Sequence, residues 1–256
     1  MRKWSHDLNS LIERPGLRFI PGPFQYSGGV AASEGFRIER ARFSRTVDLA
    51  EGFERIAAYL GERNLPLNSF CACELRSPGQ FSEAGFTAFN RAYLGTLEQW
   101  GIVADDVNPV ARSNVCPEIS PPATPGFHAF SFVVPCPGAA PSFVISGSGE
   151  ARNPPGPYPE RIIRYGETSP DALAEKAEFT HGQLEGRMAA LGTGWRAVTA
   201  TQVYCVHDIY PFLASDIIER GAAPHGITWH YCRPPVVGLE YEMDCRGVHL
   251  EHVLAA

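Results

Sequence analysis

The chain lacks any run approaching the ~18 consecutive apolar residues that a membrane helix needs, so no membrane partner is expected. It lacks basic excess: 22 Lys and Arg stand against 28 Asp and Glu, a formal net charge of −6. A phosphate-binding face is not what such a balance supports, so no nucleic acid partner is expected. Met1 to Pro15 mixes Arg2, Lys3, His6, Asp7 and Glu13 and carries no apolar stretch of the signal-peptide kind. The seven cysteines are odd in number and lack the spacing of a small secreted scaffold. Free thiols in a reducing, cytoplasmic setting are the simplest reading.

Cofactor and metal patterns are equally thin. Gly147-Ser148-Gly149 is without the remaining spacing of a dinucleotide loop and reads as a turn, so no cofactor is expected. Cys71-x-Cys73 with His225, His230 and Cys232 can be assembled on paper into a zinc site. Metal sites usually show tighter paired spacing, and core cysteines on a strand are commoner, so no metal is expected. No Ser–His–Asp pattern can be singled out, because any serine could be paired with any of eight histidines.

At 256 residues the chain can bury a sizeable core, as one domain or two. Prolines punctuate it from Pro117 to Pro141 and again from Pro154 to Pro159. Because proline fixes φ and cannot donate to a ladder, both stretches read as loops or strand edges. A boundary near Gly138–Pro141 separates two units, 1–138 and 139–256. In the first, Phe36–Phe43 reads as a strand that leads into a helix from about Val47 to Gly61. Ser69–Leu75 follows as a strand with Cys71 and Cys73 on one side. A second helix, Ser82 to Trp100, carries Phe86, Phe89, Tyr93, Leu97 and Trp100 as a stripe. Val110–Cys116 and Phe127–Val134 close the unit as strands. In the second unit, Ser142–Ser146 and Ile162–Tyr165 read as strands. Ser169 caps a long helix, Pro170 to Leu191, with proline at its first position. Thr201–Val206 is then a strand, Pro211–Arg220 a short helix, and Ile227–Cys232 and Leu239–Cys245 closing strands. The expected class is α+β, two tandem units of β-β-α-β-α-β-β with helices on one face of each sheet.

That order and several short strings resemble the RidA (YjgF) family of enamine/imine deaminases. Phe86-x-x-x-Asn90-x-x-Tyr93 is similar to a string on the family's second helix, and Pro109-Val110-Ala111-Arg112-Ser113 to its Pro-Ala-Arg-Ser/Thr strand opening. Ser142 to Gly147 resembles a strand ending in Ser-Gly, and Leu239-Glu240-Tyr241-Glu242 the family's closing strand. The pattern is broken in complementary places. The first unit keeps Arg112 but reads Phe127-His128-Ala129-Phe130 where the closing glutamate belongs. The second keeps Glu240 but reads Pro224-His225-Gly226-Ile227 where the arginine belongs. The resemblance therefore implies a homotrimer in which Arg112 of one unit meets Glu240 of another across an interface. The second unit also resembles the chorismatases in Cys232-Arg233 followed by Glu240 and Glu242. It departs from them at Pro234-Pro235 and Met243, and the chain looks short for that family.

The implied function is hydrolytic deamination of a small carboxylate-bearing enamine or imine, an intermediate of amino-acid or aromatic degradation. Arg112, with Arg233 as the second candidate, would clamp the carboxylate through a planar fork of donors. Glu240, with Glu242 as its neighbour, is the candidate catalytic carboxylate that would orient and deprotonate water; two apart on a strand, they share a face, with Tyr241 opposite. Asn90 would hold the arginine or the substrate, and Ser146 and Gly147 would offer backbone N–H groups to an anionic oxygen. A chorismatase-like reaction on a cyclic enol-ether acid, centred on Arg233 and Glu240, and a non-catalytic small-molecule scaffold are the alternatives.

Overall fold

The strands are β1 (Ile12–Arg14), β2 (Leu17–Ile20), β3 (Gly29–Ala32), β4 (Phe36–Asp48), β5 (Phe70–Arg76), β6 (Ala111–Pro117) and β7 (Gly126–Pro135). They continue as β8 (Phe143–Gly149), β9 (Ala200–Cys205), β10 (Thr228–His230), β11 (Cys232–Arg233), β12 (Tyr241–Gly247) and β13 (Glu251–Leu254). The helices are α1 (Leu49–Glu62), α2 (Glu83–Gln99), α3 (Tyr158–Arg161), α4 (Pro170–Ala190) and α5 (Tyr210–Phe212), which runs on into a wide helical turn over Leu213–Ile218. The structure is a computed structural model and describes residues 11–105, 107–153 and 156–256. Most of the N-terminal stretch read above for a signal, and Pro154 and Pro155 of the second proline run, lie outside the described residues.

Helices form where an apolar stripe coincides with a cap. The Asp48 carboxylate accepts the Ala50 N–H at 2.9 Å, Ser82 Oγ the Gly85 N–H at 3.1 Å, and Ser169 Oγ the Ala172 N–H at 3.3 Å. Each satisfies a donor that the first helical turn would otherwise leave bare. Phe53, Ile56 and Leu60 of α1 and Tyr93, Leu94 and Leu97 of α2 pack on Phe70, Leu75, Phe127 and Phe130. Leu173, Ala177, Leu184 and Met188 of α4 pack on Ile145, Val203, Tyr241, Met243 and Cys245.

The result is an α+β molecule with two mixed sheets. One has the order β11-β6-β5-β7-β4-β13 and the other β1-β2-β3-β8-β12-β9-β10. Their central strands follow one scheme: β4-β7-β5-β6 and β8-β12-β9-β10 are each antiparallel except for the last pair, which is parallel. The sheets also exchange strands. β1 to β3 edge the sheet of β8, β9 and β12, while β11 and β13 edge the other. With helices covering one face of each sheet, the remaining faces meet through Phe19, Val30, Ile38, Cys71, Ala72, Ala111 and Val133.

Three expectations are corrected. Ile162–Tyr165 is not a strand: Ile162 makes only an isolated bridge to Ala151, and Arg164 sits at φ 49°. Four apolar-leaning residues between Pro159 and Gly166 are too few to hold a ladder, so the second unit does not run β-β-α-β-α-β-β. The strands β1, β2, β3 and β13 were not foreseen: all are short, and β3 and β13 are held by strands far away in sequence, β8 and β4. Cys71 and Cys73 do not share a side, because a register shift between Phe70 and Ala72 turns Cys71 toward the other sheet and Cys73 under the helices.

Gly52 of α1 lies against the Phe127 ring so closely that a Cβ there would overlap Cδ2. Gly52→Val is expected to lower stability by about 1–3 kcal/mol through overpacking, read as a lower urea midpoint with an unchanged slope.

Candidate active site

Strand β6 of the six-stranded sheet packs against β8 of the other, and a cavity of about 310 Å³ opens between them, α2 and residues 151–153 and 156–162. Arg112 is anchored through its backbone: its N–H donates to Ser146 Oγ at 3.0 Å, which donates to the Ser27 carbonyl at 2.6 Å. Its guanidinium lies 5.0 to 5.8 Å from the ring centres of Tyr93, Tyr26, Phe86 and Phe89. Only 3% of the residue is exposed, and no carboxylate among the described residues lies within ion-pair distance of it. Aromatic faces favour a cation but are weaker than a carboxylate. Nη1 of Arg112 has no protein hydrogen-bond partner. Asn114, two residues on and hence on the same face, accepts from Ser77 Oγ at 2.9 Å and leaves Nδ2 without a partner.

From the other sheet, β12 brings Glu242 to this cavity. Gly147 of β8 is what makes room for it, since a Cβ at that position would overlap Glu242 Oε1. Burial pushes the Glu242 carboxyl well above the ordinary range, Asp244 and Glu150 push it further, and Arg112 and Arg76 pull it back. Asp244 is itself pushed to about 6, by burial first and then by Glu74. Burial and like-charged neighbours thus favour the neutral form of Glu242.

Three more arginines line the cavity. Arg187 reaches in from α4, donating to the Ser146 carbonyl at 2.9 Å. Arg152 and Arg161 come from a strap whose described residues are 151–153 and 156–162, where Arg161 Nη1 donates to the Arg152 carbonyl at 2.9 Å and its guanidinium lies 4.2 Å from the Tyr158 ring centre. The backbone N–H of Tyr158 donates to the Glu83 carboxylate, tying the strap to α2. An apolar wall of Val236 and Leu239 packs on Phe86, and Gln80 Nε2 holds it by donating to the carbonyls of Pro234, Val236 and Leu239 at 3.0–3.1 Å.

Of the residues expected from sequence, Asn90, Arg112, Gly147 and Glu242 line one cavity within one chain. Ser146 lies beneath it as the anchor of Arg112 and Arg187. Glu240 and Arg233 lie outside. Glu240 Oε2 accepts from Arg233 Nη1 and meets His207 Nε2, both at 2.8 Å, while Arg233 Nε donates to Glu118 at 2.7 Å. The ladder starts at Tyr241, so the alternation that would have placed Glu240 beside Glu242 does not reach it. Within the chain Arg112 shares its cavity with Glu242, while Glu240 pairs with Arg233 and His207, so the cavity is not centred on Arg233 and Glu240. Tyr26, Asn114, Arg152, Arg161 and Arg187 were not foreseen. The arginines flanking the second proline run were the available signal, while Arg187 reads in sequence as an ordinary residue of a helix's last turn.

A small cavity with four arginines around one neutral carboxyl is the build of a protein that handles a small anion. The chain belongs to the family described as 2-aminomuconate deaminase CnbZ, which it matches over residues 11–252. It is 49% identical, over 241 residues, to the 2-amino-5-chloromuconate deaminase of Comamonas testosteroni, covering 93% of this chain and 96% of that protein. This family is not RidA, and the resemblance drawn from element order and short strings is corrected accordingly. Strings of four to eight residues carried it, whereas the family match spans nearly the whole chain. No helix among the described residues is long and apolar enough to cross a membrane.

Asp244→Asn removes a negative neighbour of Glu242 and is expected to shift the Glu242 titration to lower pH. Carbon-13 NMR of labelled glutamate, with Glu242→Gln to assign the signal, reads the shift.

Proposed function

We propose that the chain is a hydrolytic deaminase of a 2-aminomuconate-type dienedioate, an enamine with a carboxylate at each end, formed during aromatic degradation. The observation that carries this reading is the placement, in one cavity, of an arginine without a carboxylate partner and a buried glutamic acid whose carboxyl is pushed toward the neutral form. The family and its curated relative supply the substrate class.

In such a substrate the nitrogen lone pair is conjugated with the diene. Arg112 takes the carboxylate adjacent to the amino-bearing carbon, where the aromatic cage fixes the guanidinium plane. Arg161 and Arg187 face the distal carboxylate. Protonated Glu242 gives its proton to a diene carbon, the nitrogen lone pair forms the C=N bond, and an iminium results. The Glu242 carboxylate then takes a proton from water as the water oxygen bonds to the iminium carbon. The resulting carbinolamine transfers its hydroxyl proton to nitrogen, the C–N bond breaks, and ammonia leaves a 2-oxo acid. One substrate and one water give one 2-oxo acid and one ammonia. Asn90 and Asn114 are placed to orient the amino group and the water. Acid–base assistance of this kind contributes on the order of 10²–10⁴ in rate, fitting for a substrate that already hydrolyses unaided.

The test is ammonia release from freshly generated 2-aminomuconate, set against 2-imino acids. Glu242→Gln, which keeps the shape but has no proton to give, is expected to lose about 10²-fold or more in kcat. Arg112→Met should raise KM and lower kcat with the fold intact by circular dichroism. A wild type that releases no ammonia above the spontaneous rate sinks the reading.

The pH dependence follows from which form is active. Glu242 acts as the acid, so kcat/KM is flat below its raised pKa and falls about tenfold per pH unit above it. Asp244→Asn moves that alkaline limb to lower pH.

A further inference from the structure

Glu150 and Lys176 form an ion pair that the chemistry above does not use. Both side chains are fully buried, with Nζ 3.3 Å from Oε1. Two charges taken out of water gain back their desolvation only through good geometry and further hydrogen bonds, and here the further bonds are specific. Glu150 Oε1 accepts the backbone N–H of Glu240 at 2.6 Å, and Oε2 that of Tyr241 at 3.2 Å. The β8–β12 ladder begins at the pair Glu242 and Gly149, so these N–H groups lie just beyond it and the carboxylate stands in for the missing strand. Lys176 also donates to the Ile163 carbonyl at 2.7 Å, and the Ile163 N–H returns to the Glu150 carbonyl at 2.8 Å. The foot of the strap that carries Arg152, Tyr158 and Arg161 is therefore fastened to the same two residues.

We propose that Glu150 and Lys176 are positioning residues that set where β12 presents Glu242 and where the strap presents Arg161, a claim that rests on Glu242 being the acid. Neither side chain lines the cavity; they act through the backbone on either side of it. Glu150 also faces Glu242 electrostatically, together with Asp244 on its own strand. The cations facing Glu242 are Arg112 of β6, Arg76 of β5 and Arg187 of α4, and the phenols are Tyr26 and Tyr158. A change at Glu150 therefore registers both in geometry and in the Glu242 titration.

The experiment compares wild type with Glu150→Asp, Glu150→Gln and the double variant Glu150→Gln/Lys176→Met in the full chain. It reads kcat, KM, the pH profile of ammonia release from 2-aminomuconate, and the NMR titration of Glu242. Glu150→Gln alone leaves Lys176 unpaired in the interior; the double variant removes both charges of the pair and is expected to keep the fold. In the double variant kcat is expected to fall about 10²-fold from misplacement of the acid. Its alkaline limb and Glu242 titration should move to lower pH, because the nearer of the two lost charges is the negative one. Glu150→Asp keeps the charge but shortens the reach, so kcat should fall with the titration little moved. A folded double variant with wild-type kcat and an unmoved Glu242 titration overturns the proposal. If wild type releases no ammonia, the deaminase reading fails, while the Glu242 titration still decides the positioning: a shift supports it and none overturns it.

Discussion

Glu74 lies partly buried between the two sheets and is reached by arginines from both of them. Arg40, 3% exposed, grips it from the same sheet at 2.6 and 2.8 Å, and Arg246 approaches from the other at 3.5 Å. Glu251 of β13 closes the group, 2.7 Å from Arg40. Burial alone would raise the Glu74 carboxyl, yet Arg40 and Arg246 hold it well below its ordinary range. A charge taken out of water and left unpaired is costly. Sliding one sheet over the other would separate Glu74 from Arg246 and incur that cost. The charged seam thus fixes the lateral register that the apolar part, Phe19, Val30, Ile38 and their neighbours, leaves free, because hydrophobic contact has no direction. The position of β6 against β8 and β12, and with it the cavity, follows from that register.

Glu242 stands on the same inner face of β12 as Asp244 and Arg246, and its contrast with Glu74 is instructive. Both carboxyls are largely withdrawn from water, Glu242 the more so, but Glu74 has guanidinium groups in ion-pair reach and Glu242 has none within it among the described residues. One is driven to the charged form and the other to the neutral form by the same physics, with the distance to the nearest cation deciding the sign. Asp244, two residues beyond Glu242, gives no relief: it accepts from the Tyr204 hydroxyl at 2.8 Å, and its own charge disfavours that of Glu242. The neutral acid is a consequence of where the seam's arginines stop.

What the sequence disclosed follows the range of its signals. Helices α1, α2 and α4 are local objects, with the cap, the period and the stop all within some twenty residues, and they were legible. Strands adjoining them were legible for the same reason. The short edge strands were not: β13 lies along β4 and β3 along β8, both distant in sequence, while β1 and β2 are three and four residues long and build outward from β3. Pleat alternation misled twice, at Cys71 and Cys73 across a bulge and at Glu240 one residue before its strand begins. Asn90, Arg112, Gly147 and Glu242 were singled out by strings that pointed to another family, and they do line one cavity. The arginines around them stayed hidden, because a strap and the last turn of a helix carry no periodic signature.

The charge balance of the cavity gives the proposed chemistry an internal logic. With Glu242 neutral, Arg112, Arg152, Arg161 and Arg187 leave the site strongly cationic, which attracts a dianion through its low-dielectric walls. Those same cations work against the neutral acid, since each favours a carboxylate over a carboxyl. A dienedioate entering the cavity brings two negative charges, which offset the cations and add like charge beside Glu242. Its pKa rises further on binding, and by reciprocity the protonated enzyme binds the dianion more tightly than the ionised one. Substrate and proton then arrive cooperatively. Proton transfer to carbon lowers the charge on the bound substrate and thereby eases ionisation of Glu242 for the step in which it must accept a proton from water. A single carboxyl can serve as acid and then as base because the ligand's own charge, read by one uncompensated pocket of arginines, changes between the two steps.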